Sequence, residues 1–133
     1  MLASLLGRLG LSRPELRGWV SYDWANSVFM TSVIQVFQSY FPTVLAIGLS
    51  KADASARFYA ATTIAALVVA FLGPFFGAMA DFSGTRKRIM GVFIGIGVGA
   101  TLGLALVRPG EWQSGLLWYS LGNIAIAVSF ILY

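Results

Sequence analysis

The sequence predicts an all-α integral membrane chain with four transmembrane helices. Three observations lead there. First, 58% of the 133 residues are hydrophobic and only 11% are charged, whereas soluble domains carry roughly 25% charged residues. So few charges cannot cover a surface that faces water. Second, the apolar residues fall into four long runs, and a helix of about 20 such residues crosses the hydrocarbon of a bilayer. Third, the cations sit in the short junctions between runs. That placement suits orientation in a membrane, and it lacks the basic face that nucleic-acid binding requires.

The same composition excludes several classes of chemistry. The chain has no Cys and no His. A disulfide framework is therefore impossible, and so are thiolate and imidazole metal sites. Nucleophile systems of the Ser-His-Asp or Cys-His kind are excluded as well. No catalytic residue, metal site or cofactor is expected, and no enzyme.

Residues 1–18 form the expected N-terminal segment. Leu2, Leu5, Leu6 and Leu9 have helical spacing, but Arg8 interrupts them and no small-residue cleavage site follows, so a short interfacial helix or tail is favoured over a secretory signal. Ser12 and Glu15 have capping-box spacing around Pro14, which predicts a helix start there. Trp19, Tyr22 and Trp24 suit the headgroup level of a membrane. The first span is predicted over about 19–49, with Pro42 kinking or ending its far part.

Ser50 to Ala56 is a polar junction. The second span is predicted over about 57–80, with a kink at Gly73-Pro74. A charged hairpin follows, Gly77 to Arg88: Asp81 ends the apolar run, Ser83-Gly84 makes the turn, and Arg86, Lys87 and Arg88 precede the third span at about 89–107. In that span Gly91, Gly95, Gly99 and Gly103 recur every four residues, which predicts one face open to a close neighbour. The adjacent Gly95, Gly97 and Gly99 are not a nucleotide-binding loop: no strand precedes them and no acidic residue follows about 20 positions on. Phe71, Phe75 and Phe76 are expected to face lipid or fill the core.

Pro109-Gly110 marks the last turn, Trp112 and Trp118 suit an interface, and the fourth span is predicted over about 114–133. With no charged or polar tail after Tyr133, the chain is expected to be a fragment cut at or inside a helix. Six of the nine cations (Arg8, Arg13, Arg17, Arg86, Lys87, Arg88) then share one side with both ends of the chain. Retention of Lys and Arg on the inner side predicts that both ends are cytoplasmic, in a multi-pass protein of the cell (inner/plasma) membrane.

The hairpin resembles a known signature. Gly77, Asp81, Gly84, Arg86 and Lys87 are similar to the loop between helices two and three of the major facilitator superfamily, with Phe82 and Thr85 departing from its pattern. Tyr22-Asp23-Trp24-Ala25-Asn26-Ser27 resembles the first-helix signature of one branch, the vacuole-effluxer-like permeases related to an autophagy-linked vacuolar amino-acid permease. Ser129–Tyr133 resembles the approach to that branch's fourth-helix motif. The resemblance implies a twelve-helix bundle of which about a third is present. It also implies alternating access, with the loop of Gly77, Asp81, Gly84, Arg86, Lys87 and Arg88 helping to close the cytoplasmic side.

Several polar residues are candidates for a transport pathway. Asp23 could gate substrate, couple protons or form an ion pair near the inner mouth; equally, it could be a first-turn carboxylate complementing the helix dipole. Asp81, at a helix C-terminus, needs a cationic partner, and that pair could lock one of two states or merely stabilise the turn. Asn26, Gln35, Gln38 and Asn123 could line a central pathway or make interhelical hydrogen bonds worth about 0.6 kcal/mol each. Gln35 and Gln38 have the spacing to share a face.

The expected function is secondary transport of a small solute, with amino-acid efflux implied by the branch. The expected partners are the lipid bilayer, the missing C-terminal helices of the same transporter and a small-molecule substrate, with no nucleic acid. The rival expectation is a small four-helix structural or partner-binding membrane subunit that oligomerises through the glycine face.

Overall fold

In lipid no water is available to bond a free peptide group, so each crossing segment must close its own ladder. The computed structural model, which describes residues 13–80 and 85–133, follows that constraint. The described residues contain helices and connecting turns with no strand. Four helical runs are long and apolar enough to cross a membrane: Pro14–Leu45, Lys51–Met79, Arg86–Ala105 and Trp112–Leu132. Within them, α1 is Pro14–Val28, α2 Val36–Tyr40, α3 Lys51–Ala80, α4 Arg86–Ala105 and α5 Trp112–Leu132. Two wider π-helical stretches, Phe29–Gln35 and Phe41–Leu45, flank α2. The chain divides into two compact units, Met1–Phe37 and Gln38–Tyr133.

In the first unit, α1 starts where Pro14 dictates. Pro fits the first helical position and pushes the residue before it to extended backbone. Arg13 accordingly takes φ −90° and ψ 135° as the N-cap, with no side-chain cap bond. The expected capping box pairs Ser12 with Glu15. Its would-be cap, Ser12, lies outside the described residues, as does the leucine-rich segment before it. The helix starts at Pro14, where the Ser12, Pro14 and Glu15 pattern predicts it, ahead of the membrane span expected from about 19. At its other end the ladder loosens, and the Phe29 N–H is shared between the carbonyls of Ala25 and Asn26.

In the second unit, Pro42 lies in the first turn of the π-helical stretch Phe41–Leu45. Pro has no N–H to return to residue 38, so one rung of the α ladder is lost there. The helix stops at Leu45, four residues short of the expected 49. Gly48 then turns the chain with φ +93°, a conformation natural to glycine. Ser50 caps α3: its Oγ accepts from the Asp53 N–H at 3.1 Å and donates to Asp53 Oδ2 at 2.7 Å. The polar junction expected over 50–56 is therefore largely the first turn of a helix. That helix continues through Pro74 to Ala80.

Helix α5 is the centre of this unit, since both α3 and α4 pack on it. Gly115, Leu116, Tyr119, Gly122, Ala125, Val128, Ser129 and Leu132 are its buried stripe, at the three- and four-residue steps of one helix face. Small residues there let neighbouring helices come close, and packing holds helices together where solvent apolarity gives no drive. Gly97 meets Ala125, and Gly73 meets Ile131: a Cβ on either glycine would lie 3.7 Å and 3.4 Å, respectively, from those side chains.

The four-residue glycine pattern does not form one contact face here. A step of four residues turns the helix about 40° beyond a full circle, so three steps drift by about 120°. Gly103 faces α5 and meets the Trp118 indole, while Gly91, Gly95 and Gly99 look into open space among the described residues. Trp118 is thus half-buried against a glycine. The phenylalanines divide similarly. Phe71 and Phe75 are exposed, whereas Phe76 meets the Phe93 ring edge-on at 5.1 Å.

Gly103→Ala should therefore be costly. Its Cβ would sit 2.6 Å from Trp118 Cε2, and overpacking of this kind costs about 1–3 kcal/mol. Gly95→Ala meets nothing and should gain up to about 1 kcal/mol of helix propensity. Thermal unfolding of the detergent-solubilised variants checks the opposite signs.

Candidate functional site

The two ends of the second unit differ in chemistry. At one end, the start of α3, the start of α5 and the turn before α5 converge with the stretch Phe41–Leu45. The Gly110 N–H donates to the Val44 carbonyl at 3.3 Å, and Gly110 turns the chain with φ +90°. Arg57 stacks over the Trp112 ring, 4.3 Å from its centroid, a cation–π contact worth about 0.5–1 kcal/mol when exposed. Glu111 Oε2 accepts from the Arg108 N–H at 3.2 Å and closes the turn. Beneath this polar collar the buried Phe58 ring contacts Phe41 at 5.8 Å and Tyr119 at 5.5 Å, joining three elements.

At the other end Arg86 opens α4 and reaches the end of α5. Its Nε donates to the Leu132 carbonyl, and its Nη2 donates to the Tyr133 carbonyl at 2.6 Å. A guanidinium fork suits two neighbouring acceptors. This places the first of the three consecutive cations on α5, while Lys87 and Arg88 are exposed. The contact offsets a local conflict, because three cations in the first turn of α4 oppose its own dipole and α4 has no side-chain cap. Asp81 and Gly84 lie outside the described residues, so the expected Asp81 pairing does too. Gly77 is half-buried, and nothing lies within 4 Å of where its Cβ would be.

The pathway candidates scatter. In the first unit Asp23 is exposed, and its backbone carbonyl accepts from Ser27 Oγ at 3.0 Å. Asn26 is buried at 8% exposure, and its Nδ2 has no hydrogen-bond partner among the described residues. Gln35 closes the π-helical stretch and is exposed. In the second unit Gln38 is exposed and lines a shallow, open recess with Phe41, Pro42, Ala54, Ser55, Phe58 and Tyr59. Asn123 is half-buried, and its Nδ2 donates to the Tyr119 carbonyl at 3.0 Å, one turn back on its own helix. That bond lies within α5 itself.

Two features were not anticipated from the sequence. The aromatic junction at Phe58 had a visible signal in Arg57-Phe58-Tyr59, an aromatic pair beside a cation at a predicted helix start. The π-helical stretch Phe29–Gln35 contains no Pro or Gly to announce it.

Comparison with known proteins adds a family. Residues 42–133 match the family model described as vacuole effluxer Atg22 like. An uncharacterized MFS-type transporter, YxiO of Bacillus subtilis (strain 168), is 33% identical over 117 residues, which is 86% of this chain and 27% of that relative. The chain thus spans about a quarter of the length of the curated relative it matches. No solved structure matches.

Arg86→Ala should free the Leu132 and Tyr133 carbonyls and cost about 1 kcal/mol, the typical net value of such bonds in a partly solvated place. Arg86→Lys keeps the charge but not the fork and should recover only part of it. Thermal unfolding of the two variants beside the parent protein measures the difference.

Proposed function

Because the chain belongs to the vacuole effluxer Atg22-like family, we propose that it forms a four-helix part of a secondary transporter that exports a small solute, an amino acid in the first instance, by alternating access. The observation that carries this is the match over residues 42–133, supported by the 33% identity to a relative named as an MFS-type transporter. No bond of the solute is broken in such a process. Binding and helix movement suffice, and a transporter of this type holds its solute between two helical bundles near mid-membrane.

The geometry suits the proposal in two ways. Arg86 couples the start of α4 to the end of α5 through hydrogen bonds. Contacts of that strength can be made in one state and broken in another without a large barrier. The bias of the cations Arg86, Lys87 and Arg88, with Arg8, Arg13 and Arg17, supports an inner-side reading for this end of the second unit and for both ends of the chain, in a cell-membrane protein. Asp23, exposed on α1, is the proposed charged group of the inner mouth. The remaining helices of the whole transporter supply the rest of the pathway wall.

Reconstitution of the full-length protein in proteoliposomes tests this reading with a panel of radiolabelled amino acids under an imposed pH gradient. At least one member should be moved against its gradient, and Asp23→Asn should slow that movement several-fold and flatten its pH dependence. Transport of none of them would reject amino-acid efflux. Unchanged transport and pH dependence in Asp23→Asn would reject the role given to that carboxylate.

A further inference from the structure

Helix α3 carries a peptide carbonyl that has lost its rung of the ladder. Pro74 lies inside the helix, and a proline has no N–H to give to the carbonyl four residues back, that of Ala70. A membrane helix tolerates this where a Ser or Thr side chain, a neighbouring helix or water takes up the freed group. Nothing nearby on α3 can do so, because no Ser, Thr, Asn or Gln occurs from Ala66 to Ala78. No side chain of the other described residues donates to Ala70. Ala70 and Pro74 are exposed, while Phe58 and Ala65 belong to the buried side of the helix.

A second polar group lies on the same exposed side. Thr63 comes seven residues before Ala70, two turns of helix, so the two share a face. Its hydroxyl makes no hydrogen bond among the described residues, although the adjacent Thr62 hydroxyl donates to the Phe58 carbonyl at 2.9 Å. The side chains at 70 and 74 are short. A neighbour can therefore reach the backbone between Leu67 and Phe71, which are both exposed.

We infer that this face of α3 seats a further helix of the full-length transporter, from outside residues 1–133, and that this helix donates a side-chain hydrogen bond to the Ala70 carbonyl. The donor is a hydroxyl, a carboxamide or an indole N–H. A second hydrogen-bonding side chain lies about 10 Å along the same helix, level with Thr63. Three considerations select this occupant. Lipid tails have no donor for the carbonyl. A second copy has the same orientation in the bilayer, so it would pair α3 with itself about an axis along the membrane normal. Ala70 would then meet Ala70, acceptor against acceptor. Finally, the matched part is only 27% of the length of the curated relative, so a chain of that size has further helices tethered to this one. The inference rests on the reading of this chain as part of a larger transporter.

The test places the photoreactive residue p-benzoylphenylalanine at Phe71, the most exposed ring of this face, in the full-length protein in its membrane. Mass spectrometry then maps the adduct. It should form within one polypeptide, on a helix outside residues 1–133 that has Ser, Thr, Asn, Gln or Trp within one turn of the labelled position. No protein adduct, or an adduct only to lipid, to another copy or to residues 1–133, overturns the inference, and so does a helix without such a residue. A second measurement tests the bond itself. Replacing the mapped donor by Ala should lower the melting temperature of the detergent-solubilised parent by about 1–2 °C. In the Pro74→Ala background, where Ala70 regains an N–H partner in its own helix, the same replacement should do much less. An equal effect in both backgrounds overturns the inference. Neither readout uses a solute, so a failure of the transport reading in proteoliposomes is scored separately.

Discussion

A peptide group in hydrocarbon has no water to bond, and this constraint governs everything else in the chain. It forces each apolar run into a helix that closes its own ladder, and it drives charges to the ends. In the second unit that sorting is complete. No charged residue lies between Arg57 and Ala80, between Ile89 and Val107, or after Glu111. The charged residues of the described junctions are then used locally: Asp53 in a cap, Glu111 in a turn, Arg57 over an indole, Arg86 at a helix end. The exposed sides of α3 and α4, with Phe71 at 84% and Leu102 at 63%, suit lipid or further helices and would be intolerable in water.

With solvent apolarity removed as a driving force, helix association depends on fit. That explains why α5, with its stripe of small residues, is the helix around which the second unit is built. Gly103 and Trp118 are the sharpest instance, where one residue's missing side chain is filled by another's ring. The aromatic junction at Phe58 serves the opposite need, filling a wider space where three elements meet. Fit also sets a limit on function. Close small-residue contacts favour rigid movement of helices as a group, whereas the hydrogen bonds of Arg86 can be made and broken.

Much of this was legible in advance because composition and charge spacing act at long range. The four helices and the turns at Gly110 and around Pro42 follow from apolar run length and from Pro and Gly chemistry. Helix ends were less legible. Ser50 and Asp53 looked like a loop because the capping interaction uses the same polar residues as a loop does. The glycine pattern misled because a period of four does not equal the helical repeat, so glycines in register along the sequence drift around the axis. Of the candidate site, the polar residues could be named, but their state could not. Asn123 and Asn26 look alike in sequence, yet the first amide is bonded to its own helix backbone and the second has a buried nitrogen without a partner among the described residues. The family, by contrast, was carried by short motifs, Tyr22–Ser27 and Gly77–Lys87, whose chemistry does not depend on fine packing.

The central claim is that four helices cross the bilayer with the Arg86 end inside and the Gly110 end outside. The described stretch has no cysteine of its own, so single cysteines can report side directly. Labelling of Ser83→Cys and Gly110→Cys with a membrane-impermeant maleimide, before and after cells are opened, is the decisive measurement. The account predicts that Gly110→Cys reacts in intact cells and Ser83→Cys reacts only after opening; reaction of Ser83→Cys in intact cells, or of both positions from the same side, would contradict it.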